Sequence, residues 1–179
     1  MKLELKHLSP YLPYKLNCLC GKKIEVIQGL RNETYFIDKG SNYSYGYIED
    51  CKPILRPLSD LTKEINLKGK EFMPLKQLFI EIIENSLDYE EIKIYTQLED
   101  INDGITRYCH ANAMDIFFNI YVINNKIHRI LSGAQYGGGS SYLNYQQIIC
   151  VNNFLVEWHF DVFGLIEKGL AIDINTLKL

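Results

Sequence analysis

Net charge, tryptophan, methionine and long apolar runs are all scarce in this chain. Of its 179 residues, 19 are Lys or Arg and 22 are Asp or Glu, a formal net charge of −3. So near a balance, no basic tail drives binding, and mimicry of nucleic acid would need far more acid. No apolar run approaches the roughly 18 residues of a membrane-spanning helix. Residues 1–7 alternate charge with leucine and lack the apolar run of about 7–15 residues that an export signal needs. A cytoplasmic protein is therefore expected. Cysteine is present but odd in number: Cys18, Cys20, Cys51, Cys109 and Cys150. Their irregular spacing fits reduced thiols better than a disulfide framework. Cys18 and Cys20 have no second well-spaced pair, and Cys109 and His110 are adjacent, so the ligand set of a structural zinc is missing. No metal or cofactor is expected.

What remains is an ordinary globular composition, 47% hydrophobic and 23% charged. A chain of this length buries roughly 70% of its extended surface, and one domain over residues 1–179 is the simplest reading. The excess is in tyrosine, 13 residues beside 8 Phe and 1 Trp.

Local patterns give an α+β fold of antiparallel hairpins packed with two main helices. Pro10 and Pro13 make residues 8–14 an ordered extended or one-turn segment. Strands at 15–20 and 23–28 flank a Gly21-Lys22 turn, and a third strand is expected at 33–38. The Gly, Ser, Asn and Tyr rich stretch 39–50 reads as a surface loop. Pro53 and Pro57 argue against a central strand over 52–58. Ser59 is placed to cap a short helix over 60–64, and 64–67 with 70–73 form a hairpin around Lys68-Gly69. From Pro74 to about Asn85, Leu75, Leu78, Phe79, Ile82 and Ile83 make one helical stripe. A strand follows at 91–98. The strongest hairpin is 116–123 with 126–131 about Asn124-Asn125, a register that sets Arg129 opposite Ile120 and makes Tyr121 and His128 neighbours. After a flexible loop at 132–143, a core helix is expected from about Tyr142 to His159, with Tyr145, Ile148, Ile149, Val151, Leu155 and Trp158 on its stripe. Asp161 is placed to cap a second short helix ending at Lys168-Gly169, and 170–179 to form an extended tail. Phe154, Trp158, Phe160 and Phe163 are the expected large core contacts.

Three blocks, LKHLSPYLPY (5–14), KPILRPLSDLTKEI (52–65) and LVEWHFDVFGLIEKGLAIDINTL (155–177), cover about a quarter of the chain. They resemble a group of short, uncharacterised proteins encoded by phages and prophages of Bacteroidota. The resemblance implies a phage-derived protein acting in a bacterial cytoplasm. It supplies neither an activity nor functional residues.

Candidate sites are few. Gly137, Gly138, Gly139, Ser140 and Ser141 lie between an expected strand and an expected helix, an order that suits a small phosphate ligand. However, the Lys-Ser/Thr pair of a phosphate loop and the G-x-G-x-x-G spacing are both missing. Glu157, His159 and Asp161 cluster in sequence, but positions two apart on a helix diverge, so the cap role is preferred for Asp161. No catalytic residue is assigned. Tyr43, Tyr45, Tyr47, Tyr136 and Tyr142 fall in or beside the two Gly/Ser-rich loops, and tyrosine is enriched at interfaces. The expected function is therefore non-enzymatic: binding a protein partner, or self-association. The alternatives are sequestration of a phosphate ligand or nucleotide by the Gly-rich loop, and an enzyme with an unrecognised site.

Overall fold

The computed structural model describes residues 2–40, 42–67, 69–82, 93–95, 106–113, 116–123, 126–134, 141–143 and 145–177. The fold class is α+β, as the patterns imply. The chain divides into two compact units, residues 1–57 with 155–179, and residues 58–154.

Unit one opens with a helical turn, α1 (Leu5–Leu8), continued by a 3-10 helix at Ser9–Tyr14. Pro10 fits because it lies in the first turn, whose N–H groups have no partner within the helix, whereas Pro13 lies inside it. Next, β1 (Asn17–Cys20) and β2 (Lys23–Val26) form the expected hairpin, with Gly21 at φ 64°. Then β3 (Gly29–Arg31), β4 (Thr34–Asp38) and β5 (Tyr43–Tyr47) make a three-stranded antiparallel sheet in that order. The surface loop expected at 39–50 thus contains a strand, Tyr43–Tyr47, and a 3-10 turn, Ile48–Asp50. Tyr recurs there at every second position, and its β propensity outweighs the Gly and Ser between.

A second correction concerns β6 (Cys51–Leu55), which lies between β1 and the strand Ile172–Asp173. Pro53 sits inside this central strand, opposite Cys18. The two-residue β1–β2 hairpin makes Cys20–Lys23 a hydrogen-bonded pair. By alternation, Cys18–Pro53 is then an open pair, and the proline nitrogen faces away from β1. On that other side the parallel partner begins only at Ile54. No ladder bond is lost.

The core of unit one joins Leu8, Tyr11 and Leu16 to Tyr35, Ile37, Leu55, Val156 and Leu165. Tyr11 is fully buried; its hydroxyl donates to the Phe160 carbonyl at 2.7 Å and accepts from the Val162 N–H at 3.4 Å. Arg56 and Phe160 form a parallel bridge: the Arg56 N–H donates to the His159 carbonyl and the Asp161 N–H to the Arg56 carbonyl. Segments 5–14, 52–57 and 155–177 therefore meet here. The expected second short helix is a single turn. Asp161 accepts from the N–H of Leu165 and of Ile166, both at 2.8 Å. At the other end, Gly169, at φ 67°, donates to Ile166 and Leu170 donates to Leu165, a Schellman closure. The tail adds the short strand and a 3-10 turn at Ile174–Thr176.

In unit two, Ser59 lies within a 3-10 helix at Leu58–Thr62 instead of capping a helix over 60–64. The hairpin β7 (Ile65–Leu67) and β8 (Lys70–Phe72) is as expected; Lys68 of its turn lies outside the described residues. In α2 (Pro74–Ile82), Leu75, Leu78, Phe79 and Ile82 are buried as the stripe requires; residues 83–85 lie outside the described residues. A five-stranded antiparallel meander follows: β9 (Lys93–Tyr95), β10 (Thr106–Ala113), β11 (Ile116–Ile123), β12 (Lys126–Ala134) and β13 (Ser141–Tyr142). The rest of the 91–98 strand and the Asn124-Asn125 turn lie outside the described residues. The register starts as expected, with Ile123 opposite Lys126 and Val122 opposite Ile127. It then shifts by one, so that Tyr121 faces Arg129 and Ile120 faces Ile130. A bulge at His128 absorbs the extra residue and relieves the expected conflict of Arg129 opposite buried Ile120. Tyr121 and His128 are not paired. Residues 132–134 and 141–142 are strand, not loop.

The last helix, α3 (Tyr145–Glu157), starts later and ends earlier than expected. His159 takes a left-handed φ of 57° just beyond its end. Val151, Phe154 and Leu155 are buried, whereas Tyr145, Ile148 and Ile149 are exposed. At 100° per residue the latter three lie beside the buried ones, so the apolar stripe is as wide as expected but only partly covered.

Candidate functional site: a tyrosine face on a sheet edge

The β3–β5 sheet has one face on the core and one in solvent. Tyr35 and Ile37 point inward from β4. On the opposite face of β5, Tyr43, Tyr45 and Tyr47 are 59%, 67% and 59% exposed. Their partners on β4 are Asp38, Phe36 and Thr34. Phe36 binds the row together, meeting Tyr43 edge-on at a centroid distance of 5.7 Å and Tyr45 at 6.3 Å. Two glycines make the arrangement fit. A Cβ on Gly29 would overlap the Phe36 ring, and one on Gly46 would overlap the Tyr35 phenol from the other side.

The backbone of β5 is equally distinctive. The Lys39 N–H donates to Asn42 and the Ile48 N–H to Glu33, both at 2.9 Å. Alternation between these two bonds makes Ile37–Ser44 and Tyr35–Gly46 the bonded pairs and leaves the tyrosines in open ones. The N–H and C=O of Tyr43 and Tyr45, and the N–H of Tyr47, therefore face the free edge. Among the described residues none bonds them.

At its far end Tyr47 also lines a cleft of about 490 Å³ with Leu3, Leu5, Ile48, Lys2 and Glu49. Lys2 pairs with Glu49 at 2.7 Å and Lys6 with Glu4 at 2.8 Å. The Glu49 hydrogen bond and charge raise the Lys2 pKa, and those of Lys6 lower that of Glu4. Both lysines are thus paired, and among the lining residues none is a nucleophile beside a base.

Elsewhere in unit one three thiols lie together. Cys20 faces Cys51 across β1 and β6, and Cys18, two residues from Cys20, reaches the same group. The Cys51 thiol donates to the Ile48 carbonyl at 3.3 Å. A hydrogen bond with Cys18, then burial, pushes it up to about 12. The Cys51 hydrogen bond and burial also push Cys20 up, while burial and Cys20 raise the Tyr35 phenol. Thiols kept protonated in this way are poor nucleophiles and poor metal ligands. Among the described residues no group of three His, Cys, Asp or Glu could hold a metal ion. His159 is half-buried; burial lowers its pKa, the Tyr14 backbone opposes the shift and Arg56 adds to it. Asp161 is committed to its two amides and Glu157 is exposed. The three do separate jobs.

Of the residues singled out in the sequence, Tyr43, Tyr45 and Tyr47 come together on one face. Ser141 and Tyr142 form β13 in the other unit. Tyr136, Gly137, Gly138, Gly139 and Ser140 lie outside the described residues. Phe36 and the open edge of β5 went unread, although the Tyr-x-Tyr-x-Tyr alternation carries that signal. No helix among the described residues is long and apolar enough to cross a membrane. No family model, curated protein or solved structure matches the chain.

Proposed function

We propose that the protein acts by binding another polypeptide chain through the tyrosine face and open edge of β5, and not by catalysis. The observation that carries this reading is the row of three exposed tyrosines, braced by Phe36, on a strand whose outward backbone groups have no partner among the described residues. Tyrosine gives large contact area at low entropic cost, and an edge strand offers main-chain bonds to an extended partner. In the setting implied by the sequence resemblance, the protein is a phage accessory factor working in a bacterial cytoplasm.

Selection of a random peptide library against the immobilised protein tests the reading. Enriched peptides are expected to lose about tenfold or more in affinity for the triple variant Tyr43→Ser, Tyr45→Ser, Tyr47→Ser, whose thermal midpoint stays near wild type. Absence of enrichment, or equal binding to the triple variant, would overturn it.

A further inference from the structure

We infer that the occupant of the β5 edge is a second copy of the same strand, paired antiparallel about a two-fold axis at Tyr45; this deepens the reading above and rests on it. The sequence of β5, Tyr-Ser-Tyr-Gly-Tyr, reads nearly the same in both directions. A two-fold axis at Tyr45 sets Tyr45 opposite its own copy, Tyr43 opposite the second Tyr47, and Ser44 opposite Gly46. This register engages both backbone groups of Tyr45, the carbonyl of Tyr43 and the N–H of Tyr47. Each Tyr45 exchanges both N–H···O bonds with its copy, and each Tyr47 N–H donates to a Tyr43 carbonyl. A pairing slipped by one residue would set each outward-facing residue opposite an inward-facing one and lose these bonds.

Charge supports the same occupant. Edge strands that must stay single carry Lys, Pro or a bulge. In unit one the other sheet edges carry such charges: β2 has Lys23 and Glu25, β3 has Arg31, and the C-terminal strand has Asp173. The five residues of β5 carry no charge and no proline, and their pairing with β4 is unbroken. A foreign strand needs only a free edge, whereas a second copy also needs a sequence that tolerates itself face to face. β5 meets that stricter condition. Pairing joins two three-stranded sheets into one of six strands and aligns the two tyrosine rows on a single face. With five residues per copy the interface is at the small end for specific complexes, so a reversible dimer is expected.

Sedimentation of the full chain up to a concentration of about 500 μM, suited to a weak interface, provides the test. The expected result is a monomer–dimer equilibrium for wild type. Tyr45→Lys and Tyr45→Glu each place like charges across the axis and should weaken it about tenfold. Mixing the two variants sets Lys opposite Glu and should restore a heterodimer. Tyr45→Pro removes an outward N–H without costing a bond to β4, and should also abolish pairing. Tyr45 is largely exposed, and thermal midpoints near wild type show that the variants fold. A wild type that stays monomeric overturns the inference, as does a dimer insensitive to all three variants, or one lost in the charge variants and not regained on mixing. If the wild type is monomeric yet still selects tyrosine-dependent peptides, self-pairing alone has failed and the polypeptide-binding reading stands.

Discussion

Replacing Tyr11 by Phe removes a single atom from the centre of unit one. The ring is fully buried and meets Phe163 nearly at right angles at 6.4 Å, so Phe retains the packing. What is lost is the oxygen that donates to Phe160 at 2.7 Å. Burial raises the pKa of this phenol above its ordinary value, so the donor is in place at neutral pH. A neutral bond of this kind contributes about 1 kcal/mol net, and a buried carbonyl left without its partner costs about 1–3 kcal/mol. The Phe160 carbonyl keeps a second bond from the Val162 N–H at 2.9 Å, which takes the estimate to the lower part of that range. The Val162 N–H also approaches the Tyr11 oxygen at 3.4 Å, too long to add much. The expected loss is therefore about 1–2 kcal/mol, or roughly 3–6 °C in thermal midpoint for a chain of this size. Urea unfolding followed by the emission of Trp158, the single tryptophan, measures it directly. The slope should not change, because the exposed surface does not. A variant within about 0.3 kcal/mol of wild type would refute the assignment of the oxygen as a net contributor. A loss above about 4 kcal/mol would point to disturbed packing instead.

Asp161→Ala strands the amides of Leu165 and Ile166 and should cost about 2–4 kcal/mol by the same unfolding assay; a neutral result would show that water replaces the carboxylate. Because burial lowers the folded pKa of His159, its unfolded form, titrating near pH 6.5, takes up protons first. The stabilisation is thus held above about pH 6.5 and lost as pH falls from there through the folded value. His159→Asn keeps the left-handed backbone and should flatten the fall of thermal midpoint between about pH 7.5 and 5.5, whereas parallel curves would remove His159 from the account. Gly46→Ala meets the buried Tyr35 ring and should cost about 1–3 kcal/mol, more than Gly29→Ala, where the half-buried Phe36 can turn aside; thermal melts giving the reverse order would contradict the two packings.

Where structure is decided by neighbours in sequence, the chain could be read directly. The Gly21 hairpin, the α2 stripe, the Asp161 cap and the Gly169 closure each rest on contacts within about six residues, and each is present. What escaped depended on distant partners. Pro53 is harmless in a central strand only because its parallel neighbour begins one residue later. The bulge at His128 shifts the register two pairs beyond the turn, where a rule that counts from the turn alone does not see it. Val156 is buried while Ile149, two turns earlier on the same side of α3, is exposed, so helical periodicity alone could not rank them. The tyrosines at 43, 45 and 47 were noticed by composition, but their alternation is what makes them a face.

The division of unit one between the two ends of the chain has a consequence for how the protein is born. Residues 58–154 form a continuous stretch, whereas the core around Tyr11 needs Phe160 and Leu165, made only after that stretch. At about 5–20 residues per second, the ribosome takes roughly 5–20 s to add the intervening hundred residues. During that interval the N-terminal strands wait with an incomplete core, and β5 waits with its uncharged edge open. Vectorial synthesis thus gives the nascent chain a window in which neighbouring ribosomes on one message could bring two such edges together before either core is closed.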